Sequence, residues 1–199
     1  MAQKTQTGDG YHHGDLRAAV LSAAVELIAE RGVGKLSLRE CARRAGVSHA
    51  APYRHFANKD AVLHAIAQEG FGWLYEAGVQ AMEGIDDARD RLDAYGVAYV
   101  RFAIEHPVHV RAMFTLQFEH PDGDDEGGPA FELLQRTAAE AAGEDANPEH
   151  AAVAAWALPH GLSMLILDGR IPAEHVADAE AVDALARAVY AMWRGALGR

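Results

Sequence analysis

The stretch from Ser37 to Phe56, "SLRECARRAGVSHAAPYRHF", contains two short helix-like segments separated by Gly46. It holds four arginines, and a serine stands at the start of each segment. The chain as a whole is acidic, with a net charge of −11. A concentration of positive charge on one small pair of helices in an acidic chain predicts a surface for a polyanion.

The basic residues are distributed unevenly over the 199 residues. Residues 1–60 carry nine basic and six acidic side chains, a net of +3, and Lys59 is the last lysine of the sequence. Residues 61–199 carry nine arginines and 23 acids, a net of −14. Ordinary variation of surface residues also produces a net charge of +3 on sixty residues. Charge alone therefore does not decide whether the chain consists of two modules with different partners.

Composition predicts a folded protein, because half of the residues are hydrophobic. We expect it in the cytoplasm on the grounds of its cysteine content and its N-terminal sequence. The single cysteine, Cys41, excludes an intramolecular disulfide and is typical of a reducing compartment. The first 14 residues contain no apolar run, so we expect neither a signal peptide nor an anchor. Residues 151–167 are uncharged, but Pro159 and acidic flanks predict a buried helix rather than a membrane span.

Hydrophobic periodicity predicts an all-α chain of about nine helices, since no alternating strand pattern occurs. In the first part, Ser37 with Glu40 predicts a capping box, Ser48 an N-cap for a third helix ending near Phe56, and Asn58 the N-cap of a fourth. The later helices are predicted within 86–107, 108–118, 130–142, 147–169 and 173–197, with a loop at 121–129. Asn147, followed by Pro148, is the predicted N-cap of the helix within 147–169.

Two helices joined by a tight turn, the first ended by a glycine, have the form of a helix-turn-helix. That signal is weak by itself, because antiparallel helix pairs are common. Here the predicted serine caps leave backbone amides facing outward, where they can meet phosphates. The second helix, His49 to His55, is short and polar with few inward anchors, and such a helix suits the major groove of DNA.

Residues 11–74, above all "SLRECARRAGVSHAAPYRHFANKDAV", resemble the DNA-binding domain of TetR-type bacterial transcriptional regulators. The element "YRHFANKD" is similar to that family's Tyr-x-His-Phe-x-x-Lys-Glu/Asp pattern. The opening "YHHGDLRAA" and Trp156 with His160-Gly161 look like a subgroup with a distinctive C-terminal domain. The resemblance implies a DNA-binding transcriptional repressor, not an enzyme, that a small molecule releases from a palindromic operator.

The resemblance also implies the domain organisation and the partners. Residues 1–10 form a flexible tail, 11–60 the three-helix DNA-binding domain (extending to about 74 as the family defines it), and 61–199 a regulatory domain for ligand binding and dimerisation. The expected partners are double-stranded DNA, a second copy of the chain and an effector of unknown identity. No cofactor, metal or membrane is expected.

Twelve residues match positions through which the family meets DNA. Those expected at phosphates are Ser37, Arg39, Arg43, Arg44, Tyr53, His55 and Lys59. Those expected in the groove are Ser48, His49, Ala50 and Ala51, with Arg54 as a further base reader. Phosphate contacts supply affinity and register, and base contacts supply sequence choice. Each also has a structural alternative: Tyr53 can pack the hairpin, His55 can cap the third helix, and Arg44 can be a solvated surface charge.

Residues Ala50-Ala51-Pro52 depart from the Gly-Thr-Leu/Ile that relatives often have before the tyrosine. Alanines offer only methyl contacts, for instance to thymine. Pro52 removes a backbone donor and stiffens the helix, and it is tolerated only in a first turn. Base reading is therefore expected to rest on Ser48, His49 and Arg54, and the operator sequence cannot be predicted.

The acidic half must supply a dimer surface and a ligand pocket if the resemblance holds. The uncharged helix 149–168 and the closing helix 177–197 are the predicted dimer elements, because each has more apolar surface than one copy covers. Pro159–Gly161 is expected to interrupt its helix and open space. Plain core packing is the alternative for every ligand candidate. The candidates are Tyr95, Tyr99, Phe102, Met113, Phe114, Trp156, His160 and Met164.

Metal and catalytic motifs give no competing prediction of comparable strength. Residues 122–127, "DGDDEG", match the start of a calcium loop, but Leu133 stands where its closing glutamate belongs. His106 and His109 lack a carboxylate or cysteine partner at convincing spacing. The remaining rival is a helical ligand- or partner-binding protein that keeps the hairpin as a scaffold and binds no DNA.

Overall fold

A computed structural model describes residues 13–115 and 128–197, and every regular element within them is helical. The prediction of an all-α fold is confirmed, with eight α-helices in the described residues where about nine were expected. They are α1 His13–Arg31, α2 Leu38–Arg44, α3 Lys59–Met82, α4 Ala88–Glu105, α5 Pro107–Thr115, α6 Gly128–Ala142, α7 Pro148–Leu167 and α8 Ala179–Leu197. Short 3₁₀ helices occupy Val33–Lys35, Pro52–Arg54 and Ala173–His175.

The chain divides into two compact units, Met1–Ile66 and Ala67–Arg199. The boundary falls inside α3, somewhat beyond the predicted limit at residue 60. In the first unit, α1 and α2 pack on each other and on the 3₁₀ helix Pro52–Arg54. Their shared core consists of Val20, Ala24, Leu27, Ile28, Leu38, Cys41, Ala42, Pro52, Phe56, Val62 and Leu63.

The predicted capping box at the start of α2 is wrong. Ser37 occupies the N-cap position, and its carbonyl accepts the amide of Cys41 at 2.9 Å, but its side chain makes no capping hydrogen bond. Glu40 does not reach back to the N-cap, because both of its carboxylate oxygens accept hydrogen bonds from Arg43. Arg43, a charged partner on the same helix, therefore takes the place of the N-cap backbone amide, from which a capping glutamate would accept a hydrogen bond.

Gly46 ends α2, as predicted, through a Schellman turn. Its φ is +70°, in the left-handed region that favours glycine. The Val47 amide donates to the carbonyl of Ala42 at 3.0 Å, and the Gly46 amide donates to that of Arg43 at 3.3 Å. This turn sets the direction in which the following segment leaves α2.

The predicted third helix, from Ser48 to Phe56, is a turn followed by a 3₁₀ helix over Pro52–Arg54. Pro52 has no amide hydrogen, so it cannot donate to the Ser48 carbonyl as an α-helix requires. That carbonyl instead accepts the Ala51 amide at 2.9 Å. The segment closes where the Phe56 amide donates to the Pro52 carbonyl at 2.9 Å.

Asparagine caps were predicted correctly at two helices. Asn58 Oδ1 accepts the Ala61 amide at 2.9 Å at the start of α3. Asn147 Oδ1 accepts the His150 amide at the same distance at the start of α7, where proline follows the cap. In each case the side-chain oxygen satisfies a backbone donor that has no partner within the helix.

In the second unit, α4 packs on α6, α7 and α8, and the glycine positions bring helices close together. A Cβ added at Gly78 of α3 would lie 2.5 Å from the ring of Tyr95. One added at Gly96 of α4 would overlap the hydroxyl of Tyr190. The core between α4, α7 and α8 consists of Val97, Val100, Leu162, Val182, Ala186 and Tyr190.

Two predicted features of the last helices are wrong. Pro159 does not interrupt α7, which continues regularly from Pro148 to Leu167, and Ser163 donates to the Pro159 carbonyl at 2.8 Å. The final helix begins at Ala179 rather than near 173, because Asp178 caps it by accepting the Ala181 amide at 2.9 Å. Residues 121–127, in which the loop and calcium motif were predicted, lie outside the described residues.

One copy of the chain does not bury the apolar helix α7. The prediction that this helix is buried is therefore wrong for a single copy. Among the described residues it is the one helix long and apolar enough to cross a membrane, and 22% of its apolar window is buried. Val153 and Leu165 on α7 are 60% and 48% exposed, and Met192 on α8 is 77% exposed. An uncovered apolar face on neighbouring helices indicates a surface that another molecule covers.

The contact between Gly96 and Tyr190 gives a paired test of the core. Gly96→Ala is expected to lower the free energy of unfolding by about 2 kcal/mol, because the new methyl group must displace the Tyr190 ring. Gly72→Ala is the control, since a Cβ at that helical position meets nothing within 4 Å. The control should stabilise by up to about 1 kcal/mol. Urea unfolding measures both, and equal effects of the two substitutions would contradict the packing described.

Candidate nucleic-acid interface and aromatic cluster

Most of the residues predicted to meet DNA lie exposed on the first unit. The structure places no predicted contact residue in the core, but Ala51, Arg44 and His55 are only partly exposed. The exposed ones are Ser37, Arg39, Arg43, Ser48, His49, Ala50, Tyr53, Arg54 and Lys59. They come from α2 and its N-cap, the turn and 3₁₀ helix that follow it, and the start of α3.

Pro52 and Phe56 are the inward anchors of the segment between α2 and α3. The Phe56 side chain is 3% exposed, and the Arg17 guanidinium of α1 lies 5.6 Å from its ring centre, within cation–π range. Tyr53 lies between these anchors but is 53% exposed. Tyr53 therefore does not pack the hairpin, which was the structural alternative, and its phenol is available to a partner.

Arg43 and Arg44 differ in how firmly carboxylates hold them. Arg43 is an exposed side chain that donates to Glu40 at 2.6 and 3.0 Å. Arg44 donates to both oxygens of Glu30 on α1 at 2.8 and 2.6 Å, and Glu26 lies 3.6 Å away. These hydrogen bonds from arginine lower the pKa of both Glu30 and Glu40. Arg44 thus joins α2 to α1, whereas the exposed pair of Arg43 can exchange its partner at little cost.

Three cationic side chains on this surface have no carboxylate partner within the described part of the chain. Within residues 13–115 and 128–197, no ion pair involves Arg39, Arg54 or Lys59. His55 adds a partly exposed imidazole whose Nε2 is buried and has no hydrogen-bond partner among the described residues. The surface therefore offers uncompensated positive charge next to the exposed hydroxyl groups of Ser48 and Tyr53.

Several of the residues predicted to bind a ligand meet in one aromatic cluster of the second unit. Phe114 lies 5.6 Å from Trp156 and 4.7 Å from His160, measured between ring centres. The Tyr99 hydroxyl and His160 Nδ1 are 2.9 Å apart, a hydrogen-bond distance. Burial lowers the pKa of His160 and raises that of Tyr99, so both are neutral at physiological pH. Phe114 is 37% exposed, so solvent reaches this cluster at the end of α5.

Other predicted ligand residues have structural roles instead. Tyr95 is buried and donates from its hydroxyl to the Ala130 carbonyl at 3.0 Å, which ties α4 to α6. Met113 is 4% exposed and packs where Gly70 lets α5 approach α3. Phe102 is also buried, and Met164 is partly exposed on α7. For Tyr95 and Met113, core packing accounts for the contacts observed.

A second group of rings was not predicted as a ligand site from the sequence. Trp73 of α3 lies 5.0 Å from His106 and 4.6 Å from His109, between ring centres, and Phe102 lies 5.1 Å from His106. Sequence reading considered the two histidines only as metal ligands. No sequence signal identified the group, because the contact of Trp73 with His109 depends on how closely α3 and α5 approach.

A groove between α4 and α8 contains none of the predicted ligand residues. It has a volume of about 360 Å³, and Arg194 crosses its rim with bonds to Asp90 at 2.8 Å and Asp93 at 2.6 Å. Nearby, Arg101 and Asp183 form an ion pair between the same two helices. The groove is lined by Ile85, Asp90, Asp93, Ala94, Val97, Arg187, Tyr190, Ala191 and Arg194. In the described part of the chain, no group of three or more potential metal ligands occurs.

Comparison with known proteins matches both halves of the chain to family models. Residues 20–66 match the model of bacterial regulatory proteins of the tetR family. Residues 92–196 match the tetracyclin repressor-like C-terminal domain. An uncharacterized HTH-type transcriptional regulator of Haemophilus influenzae is 39% identical over 80 residues, which cover 40% of this chain but only 36% of that relative.

Solved structures resemble the chain over nearly its whole length. A protein of unknown function from Rhodococcus sp. RHA1 has 34% sequence identity and a TM-score of 0.70, covering 92% of this chain and 97% of its own. A bacterial regulatory protein in the tetR family from Rhodococcus RHA1 has 23% identity and a TM-score of 0.67, covering 89% and 96% of the two chains. With a helix-turn-helix unit and a helical C-terminal unit that both match family models, this chain belongs to the tetR family of bacterial regulatory proteins.

Proposed function

We propose that this protein is a DNA-binding transcriptional regulator, a dimeric repressor that a small molecule releases from a palindromic operator in the bacterial cytoplasm. The observation that carries the proposal is the exposed surface of the first unit, on which Arg39, Arg54 and Lys59 have no carboxylate partner among the described residues. Such a surface attracts the phosphates of a duplex and releases their counterions on binding.

Phosphate contact and base reading fall to different residues of that surface. The phosphate contacts are proposed for Ser37, Arg39, Tyr53 and Lys59. Ser48, His49 and Arg54 carry the groups that can read base edges, while Ala50 offers a methyl group. Arg43 joins the phosphate contacts by exchanging its weak pair with Glu40, whereas Arg44 stays with Glu30.

Dimerisation is proposed through α7 and α8. Both helices leave large apolar side chains exposed in one copy, among them Val153, Leu165, Met192 and Trp193. Twofold pairing of α7 and α8 would form a four-helix interface and present two DNA-binding units to a palindromic operator.

The effector is proposed to act from the second unit. The cluster of Tyr99, Phe114, Trp156 and His160 joins α4, α5 and α7, so a molecule bound there can favour one arrangement of these helices. It weakens DNA binding only by the difference between its affinities for the two conformations, typically about 1–3 kcal/mol. Because the boundary between the units falls within α3, that helix is the proposed route of coupling.

A helical binding protein without a DNA role is the alternative function. It would retain the first unit only as a scaffold. The exposed Tyr53 and the unpaired cations count against it, because neither packing nor an ion pair accounts for them in the described residues.

Lys59→Ala and Tyr53→Ala are expected to weaken binding to every duplex by a similar factor, about tenfold each, because phosphates carry no sequence information. Lys59→Ala should also reduce the slope of log affinity against log salt by about 0.9. Fluorescence anisotropy with mixed-sequence duplexes over a range of salt concentrations measures both effects.

Lys35→Ala is the matched control for that experiment, since Lys35 is an exposed lysine of the same unit outside the predicted contacts. It should bind with nearly wild-type affinity and slope. If wild-type protein bound no duplex even at low salt, the alternative function would stand instead. If Lys59→Ala and Lys35→Ala behaved alike, the assignment of Lys59 would be wrong.

Leu165→Glu and Met192→Glu are expected to shift the protein from dimer to monomer, because each places a charge in the proposed apolar interface. Sedimentation equilibrium measures the change, which should reach at least about 100-fold in the dimer dissociation constant. Val79→Glu is the control, as Val79 is 45% exposed but lies on α3. Dimers that persisted in both interface variants would contradict this use of α7 and α8.

A further inference from the structure

His109 carries a polar atom that the protein itself does not satisfy. The side chain is 7% exposed, and its Nε2 has no hydrogen-bond partner among the described residues. Leaving such a group unpaired in the interior costs about 1–3 kcal/mol. Native proteins usually meet that need with water or a ligand, so the atom marks a place where a further molecule is accommodated.

Close packing between α3 and α5 holds the His109 side chain in its position. A Cβ on Gly70 of α3 would lie 3.2 Å from the Cβ of His109 and 2.7 Å from the sulfur of Met113. A side chain on residue 70 would therefore push against Met113 and His109 of α5. The same packing brings the His109 ring against Trp73, at 4.6 Å between ring centres.

Trp73 is the side chain of this group that is most exposed to solvent, whereas Nε2 of His109 is buried. The Trp73 side chain is 39% exposed, although it packs on both imidazoles. A flat molecule can stack on the exposed part of the indole, and a small opening between Trp73 and His109 would let its polar group reach Nε2. Aromatic pairs of this kind contribute about 0.5–1.5 kcal/mol beyond the area they bury.

The chemistry of the group excludes a charged ligand. Burial, and secondarily the neighbouring His106, lowers the pKa of His109 to about 4, so its imidazole is neutral at physiological pH. Within the described residues neither histidine belongs to an ion pair. An ionic ligand would lose its hydration without gaining a counter-ion, and a purely apolar one would leave Nε2 unsatisfied.

We propose that Trp73, His106 and His109 form a binding site for an uncharged hydroxylated aromatic molecule of the phenol class. Its ring stacks on Trp73, and its hydroxyl bonds to Nε2 of His109. A hydroxyl group suits this nitrogen in either tautomer of the imidazole, because it can donate or accept. That such a ligand also releases DNA rests on the proposed function, whereas its binding does not.

Calorimetric titration of the full chain at pH 7 with three small probes tests the site. Phenol is expected to bind about tenfold more tightly than fluorobenzene, which lacks the hydroxyl, because one neutral hydrogen bond contributes about 1–1.5 kcal/mol. Benzoate, which carries a charge, should show no binding at concentrations that saturate with phenol.

Variants of His109 separate the hydrogen bond from general packing. His109→Leu should bind phenol and fluorobenzene alike, with phenol weakened about tenfold, and His109→Gln should restore part of the preference through its amide. His175→Leu, which removes an exposed histidine, is the control and should behave as wild type. Circular dichroism of each variant checks that the helices remain formed.

The outcomes distinguish this site from the proposed function. Equal affinity for phenol and fluorobenzene in the wild type, equal binding of benzoate, or a phenol preference kept in His109→Leu would each overturn the proposal. A water molecule alone on Nε2 would show as no phenol binding and would overturn it too. DNA affinity measured on the same samples without phenol tests the proposed function separately, because that measurement does not require the ligand to bind.

Discussion

The burial of Pro52 and Phe56 is the constraint on which the DNA-binding surface depends. Both side chains are almost fully buried, and the 3₁₀ helix that links them packs on α1 and α2. Once these two positions are fixed, Tyr53 and Arg54 between them must face outward, because so short a helix has no other side to present. The missing amide of Pro52 further prevents the segment from becoming a regular α-helix that would rotate them elsewhere.

In the second unit, glycine residues set the spacing between helices, and part of the apolar surface remains uncovered. Gly78 and Gly96 allow tyrosine rings to fill the space between helices, while Asp183 and Arg101 join α4 to α8 by an ion pair. Once this interior is complete, α7 still carries exposed apolar side chains. A unit with a packed core and an uncovered apolar face is suited to the pairing of α7 and α8 with a second copy that we propose.

Much of the fold could be predicted from sequence, because the signals were local. Asparagine at two helix starts and Gly46 at the end of α2 act within a few residues. The capping box was predicted wrongly because two donors compete for one carboxylate. Glu40 accepts hydrogen bonds from Arg43 rather than from the backbone amide at the start of its own helix. The expectation that certain residues are exposed and face DNA came from the resemblance to a family. The Trp73–His109 contact could not be predicted, since it depends on how closely α3 and α5 approach.

Lysine labelling of the protein alone and on DNA tests the central claim most directly, since the chain has only Lys4, Lys35 and Lys59. Both Lys35 and Lys59 are exposed in the first unit, so acetylation followed by mass spectrometry should modify each in free protein. The account predicts that a bound duplex protects Lys59 and leaves Lys35 reactive. Equal protection of the two lysines, or protection of Lys35 alone, would contradict it.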